Sequence, residues 1–177
     1  RIDLLLYSME FFNRAAAVFE NIYVIPGNHD ARATGYALDF LPHLNLANLT
    51  YITPKSDRFV YEVCDGLDAF FLPYLEAEKV GTYADFVRLH SDQIKRDTIL
   101  VAHLYDEQVK LGSESQLITR RVSNVNYKDF GQWFHTVVSG HIHTHQIYQS
   151  GAIKVIYPGT MQCHTKHDVG LQKKLMY

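Results

Sequence analysis

The sequence predicts an α/β fold, because amphipathic helical patterns alternate with short runs that are apolar throughout. Residues 2–19 place apolar side chains at three- and four-residue spacings, which is typical of a helix with one apolar face. The apolar run 22–25 follows, and Pro26 and Gly27 end it as they would end a buried strand. A helix, a buried strand and a loop in succession are typical of α/β proteins. The 177 residues contain no repeat, linker or low-complexity tract, so we predict one domain over residues 1–177.

The later elements follow from the same two periodicities. Helices are predicted at 34–41, 79–95 and, as a short segment, 127–134. Strands are predicted at 49–53, 58–63, 67–72, 98–102, 136–139, 146–149 and 153–157. Asp65-Gly66 and Ser150-Gly151 are hairpin signals, and the polar stretch 111–126 predicts a mobile surface loop.

Composition limits the class of function. No stretch approaches the roughly 20 apolar residues of a membrane-spanning helix, so we expect no membrane partner. The formal net charge of -2 argues against a chain-wide electrostatic attraction to nucleic acid, so a DNA contact would need a local patch, a bound metal or a partner chain. Cys64 and Cys163 form no Cys-x-x-Cys pair, which predicts a reducing, cytoplasmic location with both side chains packed.

Polar clusters directly follow three of the predicted buried strands. They are Gly27-Asn28-His29-Asp30 after the first strand, His103 after the strand at 98–102, and Gly140-His141-Ile142-His143 after the strand at 136–139. Ligands of open α/β sheets bind beyond the carboxyl ends of the strands, so we expect these clusters to lie close together in space. His141 and His143 lie on one face of an extended segment, and glycine before each cluster lets the backbone approach a ligand closely.

The residue types in these clusters predict a metal site. Neutral imidazole suits manganese, iron or zinc, and the amide oxygen of Asn28 favours the harder cations over a purely structural zinc site. A single histidine at a strand end is more often an ordinary hydrogen-bonded residue than a ligand. The combination of all three clusters, each after an apolar strand, favours the metal site.

The three clusters, in this order, resemble the last three motifs of the calcineurin-like metallophosphoesterases. The later segment Tyr157-Pro158-Gly159-Thr160 is similar to the tyrosine-x-glycine-serine/threonine segment of the SbcD-type nuclease subunits of bacteria and phages, although a turn after a strand explains Pro-Gly equally well. The resemblance covers nearly the whole chain. It implies the four-layer αββα sandwich of that superfamily.

The resemblance also implies a set of metal ligands. Asn28, His103 and His141 would bind one of two divalent cations, and His143 would bind the other. Manganese is the expected cation. Two cations can polarise a phosphodiester, generate hydroxide at neutral pH and stabilise the attacking and leaving oxygens.

Two further groups of residues receive roles from the resemblance. His29 would stabilise or protonate the leaving oxygen, and Asp30 would orient it, since an imidazole held by a carboxylate is a suitable general acid near neutral pH. Substrate contacts are predicted for His145, Tyr157, Gly159 and Thr160, with packing or solvent exposure as the alternative for His145.

The sequence departs from the family pattern at its beginning. Members of the superfamily start with Asp-x-His and then Gly-Asp-x-x-Asp, which supplies the carboxylate that bridges the metals, and neither motif occurs here. We expect both motifs, and the N-terminal strands that carry them, upstream of residue 1. By itself, the 177-residue chain is therefore expected to bind at most one transition metal and to leave phosphodiesters intact.

The resemblance implies a metal-dependent phosphodiesterase, and most specifically a DNA exonuclease or endonuclease subunit in repair or recombination. Such a subunit would act on DNA as a homodimer with an SbcC-type ATPase. A phosphoprotein phosphatase or a small-phosphodiester hydrolase fits the metal motifs equally well. A catalytically inactive scaffold is a third alternative, which only the missing motifs support.

Overall fold

The computed structural model describes residues 2–75, 82–95, 97–109 and 124–160 of the chain, so most of the predicted loop at 111–126 lies outside the described residues. The helices within these ranges are α1 (Ile2–Ala16) and α2 (Tyr83–Leu89). The strands are β1 (Ile22–Val24), β2 (Ala31–Arg32), β3 (Gly35–Tyr36), β4 (Leu49–Tyr51), β5 (Val60–Cys64), β6 (Leu67–Leu72), β7 (Thr98–Ala102), β8 (Tyr105–Asp106), β9 (Asn124–Val125), β10 (Thr136–Ser139), β11 (Gln146–Ser150) and β12 (Ile153–Tyr157). Short 3-10 helices cover Leu41–Leu44, Ser91–Gln93 and Tyr127–Phe130.

A mixed six-stranded sheet forms the centre of the fold, with the order β11-β12-β10-β7-β6-β5. The inner strands β12, β10, β7 and β6 run parallel, whereas the edge strands β11 and β5 are antiparallel to their neighbours. Leu72 and Ser139 both pair with Ala102, so β6, β7 and β10 end at the same level. The predicted α/β class is confirmed, and the parallel strands bring the residues that follow them to one edge.

A smaller sheet packs beside the large one. In it, β1 pairs with β4 in parallel. The ring of Tyr23, in β1, stacks on Phe71 at 4.8 Å between centroids and lies 5.1 Å from Tyr61. The amide of Tyr74 donates to the carbonyl of Pro26 at 3.1 Å. The loop after β1 is thereby joined to the exit of β6.

Aromatic side chains fill the core between the large sheet and α2. Phe59 lies 5.8 Å from Phe70 and 5.0 Å from Phe86, and Phe70 lies 5.7 Å from Phe134, all between ring centroids. These four side chains are at most 4% exposed. Burial of this size stabilises the domain by roughly 1.5–3 kcal/mol for each large apolar side chain, so α2 is held firmly on the sheet.

The helix predicted at 34–41 is wrong. The structure has instead the hairpin of β2 and β3, followed by the 3-10 helix Leu41–Leu44. Gly35 has a φ of +108°, which a residue with a side chain rarely adopts, and it allows the tight turn. The Asp39 carboxylate then accepts a hydrogen bond from the Tyr36 amide at 2.8 Å, which replaces a helical bond.

Two other predicted helices are shorter in the structure. Of the segment 79–95, α2 covers only Tyr83–Leu89 among the described residues. The Thr82 hydroxyl accepts from the Asp85 amide at 3.1 Å, and the Asp85 carboxylate accepts from the Thr82 amide at 3.2 Å. This capping box fixes the start of α2. The segment 127–134 forms only the 3-10 helix Tyr127–Phe130.

Helix α1 is confirmed, but its apolar residues are not all buried. Asn48 ends the helix by donating from its side-chain amide to the carbonyls of Ala16 and Phe19, at 2.9 and 2.7 Å. Leu6 is 57% exposed and Phe11 is 61% exposed. Neither α1 nor α2 has the length and apolar character that a membrane crossing requires. The expectation that Cys64 packs is wrong, because it ends the edge strand β5 and is exposed.

Candidate metal centre

Asn28, His103 and His141 meet at the carboxyl edge of the strands. Each lies on the loop that follows a strand, namely β1, β7 and β10 respectively. Asn28 Oδ1 lies 3.1 Å from His103 Nε2 and 3.3 Å from His141 Nδ1, although His141 is 113 positions further along the chain. The rings of His103 and His141 are arranged edge to face at 5.2 Å. The structure therefore brings together the three polar clusters, as their position after strands predicts.

Glycine is required on two sides of His103. A Cβ atom on Gly27 would stand 2.9 Å from His103 Nε2, and one on Gly140 would stand 2.7 Å from His103 Nδ1. Both distances are too short for real atoms, so the backbones of two loops closely approach one imidazole, one near Nε2 and the other near Nδ1. His141 has a φ of +80°, which is strained for a residue with a side chain. Strain at this position indicates that the surrounding structure fixes the loop.

Burial keeps the His103 ring neutral. Burial is the largest cause, and together with the neighbouring His141, His29 and His143 it lowers the pKa of His103 from its usual 6.5 to about 3. A neutral imidazole retains a lone pair for a cation, whereas a protonated one repels it. The ring is therefore in the form that a metal ligand needs at neutral pH.

A cavity of about 10 Å³ lies between these side chains, with Leu104 and the tyrosines Tyr74, Tyr83 and Tyr105 completing its wall. That volume is close to the minimum for one water-sized species. The donor set of two imidazoles and one amide oxygen, around a space of this size, fits a single transition-metal cation. Across the described residues, no group of three or more histidine, cysteine or acidic side chains has a metal-binding arrangement. The fit thus depends on the Asn28 oxygen.

The tyrosines of this wall were not predicted as site residues. Tyr74 follows β6 and Tyr105 follows His103, so both occupy the strand-end positions that identified the histidines. The Tyr105 ring lies 6.5 Å from that of His141. The position after a parallel strand was the signal that could have found them.

His29 and Asp30 lie on the same loop as Asn28 but differ in environment. The His29 side chain is exposed, and its carbonyl accepts a hydrogen bond from the Arg32 guanidinium at 2.8 Å. The Asp30 carboxylate accepts from the Gly27 amide at 2.8 Å and so closes the loop. No hydrogen bond joins Asp30 to the His29 ring within the described part of the chain, and the orienting role of Asp30 stays a prediction.

His143 and His145 lie where the chain passes the segment after β12. The His143 carbonyl accepts from the Thr160 amide at 3.0 Å. A Cβ atom on Gly159, whose φ is +83°, would stand 2.8 Å from that carbonyl and 2.9 Å from the His145 amide nitrogen. The buried Nδ1 of His145 has no hydrogen-bond partner among the residues that the structure describes. Gly159 and Thr160 therefore contact the backbone of the His143 loop, and their predicted substrate contacts stay predictions.

Tyr157 lies in the core below the site. Its side chain is 0% exposed. The Tyr157 hydroxyl donates to the Leu104 carbonyl at 3.0 Å and accepts from the Asp106 amide at 3.2 Å. In this conformation the hydroxyl contacts the protein interior, which is a different environment from the substrate surface expected for it.

Comparison with protein-family models and with curated proteins found no match to this chain.

Proposed function

We propose that this chain is the metal-binding part of a calcineurin-like phosphodiesterase that cleaves DNA, as an SbcD-type nuclease subunit does. The observation that carries the proposal is the convergence of two imidazoles on one amide oxygen: His103 Nε2 lies 3.1 Å and His141 Nδ1 lies 3.3 Å from Asn28 Oδ1. Loops after three separate strands supply these atoms, which favours a ligand site over a chance contact. The contact of β1 with the large sheet supports the proposed four-layer sandwich, of which this smaller sheet would be part.

The proposed residues act in two groups. Asn28, His103 and His141 hold one divalent cation, for which manganese is proposed, and His143 contributes to a second. When bound, two cations would polarise the phosphodiester and supply hydroxide near neutral pH. Because its pKa is lowered, His103 stays neutral and able to bind a cation near neutral pH, where the proposed DNA cleavage takes place.

His29 acts on the leaving group. Its side chain is exposed beside the ligands, so an imidazolium nitrogen can reach a bound phosphodiester. As the bond between phosphorus and the leaving oxygen breaks, the proton moves from that nitrogen to the oxygen. A sugar alkoxide is a poor leaving group without a proton, and general acid catalysis of this kind contributes about 10²–10⁴-fold in rate.

The location, oligomeric state and partner of the protein are proposed from the family resemblance alone. We propose a cytoplasmic protein that works as a homodimer with an SbcC-type ATPase. The formal charge of -2 leaves DNA affinity to a local site or to the partner.

A manganese titration tests the metal centre. In isothermal calorimetry, the 177-residue chain is expected to bind one Mn²⁺, because its sequence lacks the motif that supplies the bridging carboxylate. His141→Ala is expected to weaken binding strongly, since it removes one of the three ligands. His135→Ala is the matched control, because His135 directly precedes β10 at its other end and is exposed. Equal affinity for both variants would exclude the assigned ligands.

A nuclease assay tests the chemistry. With manganese, the protein encoded by the full reading frame that contains this chain is expected to cleave duplex DNA. His29→Ala is expected to retain the metal and slow cleavage about a hundredfold or more. Faster hydrolysis of a phosphomonoester than of DNA would favour a phosphatase, and loss of metal from the His29 variant would contradict its role as acid.

A further inference from the structure

We propose that Tyr157, together with Ser139, positions His103: their hydroxyls hold the peptide groups after His103, so that its ring meets Asn28 and His141. The inference rests on the proposed metal centre and assigns it two residues that would touch neither metal nor substrate. Tyr157 and Ser139 are each 0% exposed. They stand near the ends of β12 and β10, on the side of β7 where the chain continues into His103.

The Tyr157 hydroxyl bridges the two ends of a short loop. Its proton goes to the Leu104 carbonyl at 3.0 Å, and its oxygen accepts from the Asp106 amide at 3.2 Å. Burial raises the pKa of Tyr157 to about 12, so the hydroxyl keeps the proton that it donates. One side chain therefore fixes two consecutive peptide groups, Leu104–Tyr105 and Tyr105–Asp106, shortly after His103.

Ser139 fixes the Leu104 peptide from the other side. The Leu104 amide donates to the Ser139 hydroxyl at 3.0 Å, and the hydroxyl lies 3.1 Å from the Leu104 carbonyl. Leu104 is thus bound at both its amide and its carbonyl by side chains of neighbouring strands. Since β7 ends at Ala102, only His103 lies between the sheet ladder and this anchored peptide. The backbone of His103 is held at both ends.

A positioning role explains why hydroxyls occur here. Burying a hydroxyl costs free energy unless it forms hydrogen bonds. If these two positions served only to fill the core, Phe in place of Tyr157 and Ala in place of Ser139 would do so without that cost. The ring of His103 is also confined by Gly27 and Gly140, which leaves little room for it to follow a displaced backbone. A shift of the Leu104 peptide would therefore move His103 Nε2 away from Asn28 Oδ1.

Tyr148 provides a matched control within the same cluster. Its ring stacks on that of Tyr157 at 6.3 Å, and its hydroxyl donates to the Asp106 carboxylate at 2.7 Å. Changing Tyr148 to Phe therefore removes a partly buried hydrogen bond of the same cluster, just as changing Tyr157 to Phe removes buried ones. The bond of Tyr148 goes to a side chain, whereas the two shorter bonds of Tyr157 go to the backbone that follows His103, and its third contact, at 3.5 Å, is with the Tyr127 hydroxyl.

The experiment compares Tyr157→Phe with Tyr148→Phe in the 177-residue chain. We expect Tyr157→Phe to weaken Mn²⁺ binding by about 10- to 100-fold, the usual effect of removing an outer-shell partner of a metal ligand. Exchange of the Asp106 amide hydrogen should become faster in the same variant. Tyr148→Phe should keep the wild-type Mn²⁺ affinity even where both variants lose similar stability to urea.

A metal-free measurement separates failure of this inference from failure of the proposed function. In the NMR spectrum of the metal-free chain, the contact between the His103 and His141 rings should weaken in Tyr157→Phe and persist in Tyr148→Phe. If the wild type binds no Mn²⁺, the metal centre is wrong, and the ring contact alone decides the positioning role.

The inference would be overturned if Tyr157→Phe kept both the contact between the His103 and His141 rings and the wild-type Mn²⁺ affinity. It would also be overturned if Tyr148→Phe lost as much ring contact and Mn²⁺ affinity as Tyr157→Phe. Ser139→Ala repeats the test from β10 if Tyr157→Phe does not fold. Wild-type behaviour of that variant would also overturn it.

Discussion

His103 is a buried histidine whose ring is enclosed by two glycine-bearing loops and by other imidazoles. Its pKa is lowered to about 3, first by burial and then by His141, His29 and His143. Sequence alone indicated that a histidine follows β7, but it could not show this environment, because the neighbours come from distant parts of the chain. The convergence of Asn28 and His141 was likewise predicted from residue type and position after strands, and the resemblance alone assigned them to one cation. The burial of Tyr157 depends on tertiary packing that no local pattern encodes.

The lowered pKa of His103 predicts a pH dependence of stability. The folded state keeps the ring neutral, while the unfolded chain takes up a proton below the usual pKa of 6.5. The stabilising contribution is therefore complete above pH 6.5 and is lost as the pH falls from 6.5 towards 3. The slope from this residue is at most about 1.4 kcal/mol per pH unit.

Urea unfolding of the metal-free chain at several pH values measures this effect. His103→Gln is expected to flatten the dependence, since the remaining side chain does not titrate. His135→Gln, at an exposed position, should leave the slope as it is in the wild type. Identical slopes for the wild type and the His103 variant would contradict the buried, neutral state.

The elements were predictable where the pattern is strong and the environment is local. All the strands of the large sheet follow apolar or alternating runs, and each is present with small shifts at its ends. The segment 34–41 was misread because helical spacing does not register the positive φ of Gly35 or the Asp39 bond to the Tyr36 amide. In α1 the spacing identified the helix correctly, but it did not show that Leu6 and Phe11 are exposed.

The exit of β12 provides a test at this scale. Gly159→Ala is expected to destabilise the fold more than Gly66→Ala, although both glycines have a positive φ, of +83° and +75°. A Cβ atom at Gly159 would stand 2.8 Å from the His143 carbonyl, whereas one at Gly66 meets nothing within 4 Å. Both variants carry the left-handed strain of roughly 1–2 kcal/mol, and only the first adds a clash of roughly 1–3 kcal/mol.

The free energy of unfolding of the two glycine variants in urea decides between these contributions. Equal losses would show that the contact with the His143 loop is relaxed without cost and that Gly159 is needed only for its φ. A larger loss at Gly159 would show that the segment after β12 fixes the loop of His143.

At the scale of the whole molecule, the sequence predicted the edge at which the site lies but not the arrangement that forms it. The rule for open α/β sheets indicated that residues after parallel strands meet. The strand order, with β10 between β7 and β12, and the side-chain cavity of about 10 Å³ depend on the complete packing. The conformation of the loop that carries His29 and Asp30 could not be predicted from the sequence, because hydrogen bonds between Asp30 and the backbone of Gly27 determine it.

The long sequence separation within the site has a kinetic consequence. The contact of Asn28 with His141 spans 113 positions, whereas β6, β7, β10 and β12 lie side by side in the order in which they occur along the chain, and each adjacent pair is separated by fewer residues. Contacts that close long loops form late in folding, so the sheet should assemble before the site exists. Mn²⁺ at about 100 times its Kd is then expected to slow unfolding about a hundredfold while leaving the refolding rate unchanged. Stopped-flow measurements in urea, with and without Mn²⁺, would contradict this order if the metal accelerated refolding instead.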